Sequence, residues 1–115
     1  MCKVMMRYHR EFHNGQKRPL GLIAWSLDYN TGTVNIGWSL CHPDDQFIKR
    51  EARNIANQKR TKSPISFNIS NPKDGIETIN KLMPHTLLRT ATYVFGDIYT
   101  QILRNSKQKP ASNRK

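Results

Sequence analysis

Acidic side chains are in short supply in this chain: 8 Asp and Glu stand against 19 Lys and Arg, leaving a formal charge of +11 over 115 residues. A surface so poor in carboxylates concentrates polyanions around itself, which makes nucleic acid the first partner to expect and anionic membrane the second. Cysteine is nearly absent too. Cys2 and Cys41 lie far apart with no CxxC pair, which excludes a disulfide framework or a zinc knuckle. Cys41 has no helix start or fixed cation beside it in sequence to make it a reactive thiol, so it is expected as a small buried hydrophobe. No apolar run approaches the roughly 18 residues that a membrane span needs, and Met1 to His13 has neither an apolar core nor a small-residue cleavage site. The expectation is a soluble, intracellular protein with no membrane partner.

Other absences narrow the chemistry. Gly15, Gly21, Gly32 and Gly37 fit neither the Walker nor the dinucleotide loop pattern, and each has a turn or strand role instead. His9, His13 and His85 have no partner at metal-ligand spacing, so neither a metal nor a cofactor is expected. No RNP, zinc-finger or GXXG signature is present, and there is no internal repeat.

What the chain does have is pattern. Leu20 to Asp28 and Val34 to Cys41 are rich in branched and aromatic residues and free of interior proline, so both read as strands. Tyr29 to Thr33 joins them, with Gly32 placed to take positive φ at a bulge. In the second of these strands Val34, Ile36, Trp38 and Leu40 alternate with Asn35, Gly37, Ser39 and Cys41, which implies one core face. Lys3 to Phe12 also alternates, and Asn14-Gly15 is a strong tight-turn signal, giving a three-stranded meander. Pro19 is expected at a strand entrance or sheet edge.

His42-Pro43-Asp44-Asp45 stops the meander, and proline plus early carboxylates suit a helix start. From there to about Arg60, Phe47, Ile48, Ala52, Ile55 and Ala56 recur at helical spacing, with Lys49, Arg50, Arg53 and Arg60 expected on the opposite side. Ile65 to Ser70 reads as a short fourth strand and 71–75 as loop. Ile76, Ile79, Leu82 and Met83 share a helical face up to Pro84, and His85 to Leu103 carries the longest helical pattern, within which Gly96 suits a close packing contact. Asn105 to Lys115 is basic and almost without apolar residues, a disordered tail. The fold class is therefore α+β, a single domain over 1–104 with a tail over 105–115, its small antiparallel sheet covered on one face by the basic helix and the C-terminal helices.

The nucleic-acid signal is distributed. Lys49, Arg50, Arg53, Lys59, Arg60 and Lys62 crowd one helix against Glu51 alone, a set able to contact phosphates. Trp25 or Tyr29 is the candidate base-stacking ring, while Trp38 belongs to the core face. Two other readings stand beside sequence-tolerant DNA or RNA binding. One is an effector that grips an acidic surface of a host protein through the same cations and aromatics. The other is a small metal-dependent nuclease using His42, Asp44 and Asp45, against which adjacent aspartates at a helix start have ordinary work as caps. A non-enzymatic protein is the expectation.

The stretch Ile36-Gly-Trp-Ser-Leu-Cys-His-Pro-Asp-Asp-Gln-Phe-Ile-Lys-Arg50, continuing through Ala52-Arg53-Asn54-Ile55-Ala56, resembles a pattern in small basic proteins of tailed bacteriophages, mostly of unassigned function. In that pattern a strand ending in Cys-x-Pro leads through Asp and Phe into a basic helix; Glu51-Ala52-Arg53 stands here where the pattern has a Gly-Arg pair. The resemblance implies a phage origin and action in the cytoplasm of an infected bacterium, and it carries over no catalytic residue.

Overall fold

Asn14-Gly15 closes the first hairpin, as its turn chemistry requires. Asn14 (φ 52°) and Gly15 (φ 79°) both adopt the left-handed conformation, and His13 pairs directly with Gln16, so the two-residue loop matches the twist of its strands. The computed structural model describes residues 3–113 apart from Pro43, with side chains over 3–104 apart from His13 and Pro43. Four strands, β1 (Val4–His13), β2 (Gln16–Asp28), β3 (Thr33–Leu40) and β4 (Ile65–Asn68), form one antiparallel sheet in sequence order. Gly32 (φ 75°) donates its amide to the Asp28 carbonyl (2.7 Å) and closes the β2–β3 turn. Pro19 lies inside β2 rather than at its entrance. It faces Arg10 just past a register shift at His9/Arg10, and β3 pairs with β2 only from Gly21 onward, so no ladder donor is missed.

Three helices follow: α1 (Lys49–Lys62), α2 (Pro72–Leu82) and α3 (Leu88–Asn113), with a short 3-10 turn over His85–Leu87 before the last. Residues 71–75, expected as loop, open α2 instead. Asn71 caps it by accepting from the Asp74 amide, and Pro72 occupies the first turn, where no amide donor is needed. The basic tail expected over 105–115 falls on residues whose side chains lie outside the described set, and α3 as traced ends at Asn113. No described helix is long and apolar enough to cross a membrane.

The sheet is covered on both faces, not on one. Ile23, Trp25, Leu27, Val34, Ile36, Ile65 and Phe67 pack against Ile79, Leu87, Ala91, Val94 and Ile98 of the C-terminal helical half. On the other face Leu22 and Ala24 pack against Ala52 and Ala56 of α1, with Tyr8 and Phe47 at the margin. Asn35, Gly37 and Ser39 looked like a solvent face because they are small or polar. Smallness is what lets the helix land there: a Cβ on Gly37 would collide with the Ala56 carbonyl oxygen and the Arg60 amide. Gly96, expected at a close contact, has nothing within 4 Å of where its Cβ would stand.

Candidate nucleic-acid interface

The helix that carries the cations starts later than its sequence suggests. Cys41 still donates its amide to the Leu20 carbonyl (2.7 Å), the Asp45 amide reaches the His42 carbonyl (2.9 Å), and the chain then runs extended to Ile48, which precedes the first helical turn without a side-chain cap. β3 ends at the rim of the sheet, so the chain must cross onto the face before it coils. Phe47 makes that crossing by packing edge-on to Tyr8, with ring centroids 6.2 Å apart. Asp44 and Asp45 are consequently not helix caps. Cys41 is half-buried rather than buried, its thiol facing the Asp45 and Gln46 carbonyls at 3.8 and 3.7 Å.

The buried stripe of α1 is two alanines, Ala52 and Ala56, while Ile48 and Ile55 remain 43% and 45% exposed. Its cations flank that stripe on both sides, save Arg50, which at helical spacing stands opposite it. Lys49 reaches over the Tyr8 ring (5.5 Å) on the β1 side, and Arg53, four residues on, shares that flank with Arg60. Lys59 bends the other way, its ammonium 3.2 Å from the Trp38 ring centroid at the end of β3 that β4 does not cover, with Lys62 three residues further along the same flank. Burial there holds the Lys59 ammonium below the usual lysine pKa. Trp38, expected in the core, is thus half-buried beneath a cation.

Arg60 is likewise committed within the fold. Its Nη1 donates to Ser26 Oγ (2.9 Å), and its Nε and Nη2 donate to Asn57 Oδ1 (3.0 and 2.7 Å). That leaves Lys49, Arg50, Arg53 and Lys62 exposed, and among the described residues none of them pairs with a carboxylate. Of the two candidate rings, Trp25 is 3% exposed and packed in the core under α3, so it has no face to offer a base. It sits on a strand whose two faces are both apolar, and alternation cannot show that both are covered. Tyr29 is 54% exposed at the β2–β3 turn.

His42, Asp44 and Asp45 are all exposed, and His42 Nδ1 stands 3.7 Å from Asp44 Oδ2. Among the described residues no group of three or more His, Cys, Asp or Glu side chains is placed to hold a metal ion.

A second basic cluster went unread in the sequence. Beside the outer edge of β1 a groove of about 770 Å³ is lined by Arg7, Arg10, Lys17 and Arg89 together with Phe12 and Tyr93. Its walls are fixed by a buried clamp: His9, 1% exposed, places Nδ1 2.7 Å from Thr90 Oγ1 on α3 and donates through Nε2 to the Glu11 carboxylate (2.7 Å). Arg7 makes a bidentate ion pair with Asp97 (2.9 and 3.1 Å) that holds its guanidinium 5.5 Å from the Tyr93 ring. Arg89 donates to the Arg10 carbonyl (3.2 Å), and Arg10 lies 5.8 Å from the Tyr8 ring that Lys49 also approaches. Tyr8 therefore joins this groove to the start of α1. The one signal available in sequence was the run of cations alternating with aromatics from Arg7 to Phe12; its partners on α3 are some eighty positions away.

No family model, curated protein or solved structure matches this chain.

Proposed function

We propose that this protein binds nucleic acid without strong sequence preference, as a non-enzymatic factor. The observation that carries the reading is that Lys49, Arg50, Arg53 and Lys62 of α1 stand in water with no carboxylate partner among the described residues, on a chain whose formal charge is +11. A cation already paired with an acid gains little from a phosphate; one that is only hydrated gains by releasing the counterions condensed on the polymer. The cations stand along a rigid helix and none is held in a fixed fork that would read a base edge, which favours backbone contact over sequence readout. The resemblance of the segment from Ile36 to Ala56 to small phage proteins would place this activity in an infected bacterium.

The test is an affinity titration of the full chain against single- and double-stranded DNA and RNA at two salt concentrations. Binding that weakens at least about tenfold between roughly 50 and 200 mM salt supports the reading. Absence of binding to all four forms overturns it.

One observation favours a second reading. Phe12 is 76% and Tyr93 58% exposed beside arginines, the composition of a protein-binding hot spot. A partner protein with an acidic surface would then hold the chain in a defined complex that survives nuclease treatment.

A further inference from the structure

We infer that the groove beside β1 is a site for single-stranded nucleic acid, in which unpaired bases stack on Phe12 and Tyr93 while Arg10, Lys17 and Arg89 hold the flanking phosphates; this rests on the nucleic-acid reading above and says which form the protein prefers.

Two large rings are in the wrong place for folding. Phe12, 76% exposed next to the first hairpin turn, and Tyr93, 58% exposed on the outer side of α3, contribute to neither hydrophobic cluster. Isolated exposed aromatics are ordinary, but these two border one groove whose remaining wall is largely cationic. The acids nearby are already engaged: Glu11 accepts from His9, and Asp97 holds Arg7. Among the described residues Arg10, Lys17 and Arg89 have no carboxylate partner, so the groove keeps a net positive field.

The geometry suits a strand whose bases are free. Stacking needs a ring face that a base can reach, and in a duplex the base faces are covered by their neighbours; only an unpaired or splayed base presents its π-face to a side chain. The rings and the cations line one groove, and non-specific single-strand sites likewise combine backbone contacts with stacking. The His9 clamp joins β1 to α3 from within, so both walls are positioned before any ligand arrives, and little ordering cost is left to binding. The Arg7 guanidinium, pinned by Asp97, lies over one face of the Tyr93 ring, so a base would stack on the opposite face.

The test compares fluorescence anisotropy of a short labelled oligo-dT with that of a hairpin duplex, using the full chain and three variants. Phe12→Ala/Tyr93→Ala is expected to weaken oligo-dT binding by about tenfold or more, the loss typical of a stacking ring, while changing duplex binding less than about twofold. Phe12→Trp is expected to retain or raise oligo-dT affinity. Arg50→Glu/Arg53→Glu, outside the groove, is expected to weaken both ligands. Circular dichroism melts confirm that the double alanine variant folds, as its exposed positions predict. An oligo-dT affinity unmoved by ring removal, or an equal loss on both ligands, overturns the stacking site. Duplex binding by the wild-type protein with no oligo-dT binding also overturns it while leaving the proposed function standing. Absence of binding to either ligand overturns both.

Discussion

Gly37 of β3 and Ala56 of α1 meet backbone against backbone, with no room for a side chain between them. The contact sets how deeply α1 seats on the sheet, and with it the direction of every cation on that helix. Gly37→Ala should therefore lift α1, at a cost of about 2 kcal/mol, in the usual range for overpacking. Each kcal/mol lost lowers the melting temperature of a domain this size by roughly 4–8 °C. Gly96→Ala, on an open stretch of α3, should instead raise stability by about 0.5–1 kcal/mol. Thermal melts of the two variants should move in opposite directions.

Arg50 and Arg60 look alike in sequence and should behave differently. Arg60→Ala removes the donors that Ser26 and Asn57 accept from, so it should lower stability by about 1 kcal/mol and leave the salt slope of binding unchanged. Arg50→Ala should leave the melting temperature unchanged, and if Arg50 contacts a phosphate, the slope of log affinity against log salt should fall by about 0.9 on duplex DNA. Denaturation curves and salt titrations on both variants separate a structural cation from a binding one.

Trp25 and Tyr29 make a similar pair. Truncating Trp25 to Ala empties part of the core beneath α3 and should cost about 3–5 kcal/mol, enough to compromise folding. Tyr29→Ala at an exposed turn should stay within about 0.5 kcal/mol of wild type. Urea unfolding midpoints check both.

At alkaline pH the fold should weaken through Tyr99. Its hydroxyl donates to the Ile69 carbonyl (2.9 Å), and burial raises its pKa above the usual 10.0. The unfolded chain therefore releases this proton first, so stability is lost as pH climbs from the unfolded value through the folded one. Lys59 works in the opposite sense: its lowered pKa means that the unfolded chain holds the extra proton, and stability rises with pH through the window below 10.5. In Tyr99→Phe the alkaline decline should be smaller, as read from melting temperatures between about pH 9 and 11.

Much of the fold was open to reading because its causes are local. Asn14-Gly15 and Gly32 supply the backbone conformations their turns need, and alternation or helical spacing placed all four strands and the middle of each of the three longer helices. The late start of α1 was not legible, since Pro43-Asp44-Asp45 carries a sound helix-start signal and the demand that overrides it is the crossing from the rim of the sheet to its face. The groove beside β1 was hidden for a related reason: Arg7, Arg10 and Phe12 come together with Arg89 and Tyr93 only in the folded chain.

By itself, then, the order of residues determined the α+β class, the hairpin turns and a strongly positive charge, because turn chemistry, periodicity and composition act within an element. Tertiary packing alone decided that α1 presses on Gly37, that Lys59 and Arg60 turn back onto Trp38 and Ser26, and that an aromatic, cationic groove forms along β1. Periodicity gives the direction of a side chain from its own axis. What stands across from it depends on contacts between residues distant along the chain, and no local pattern encodes those.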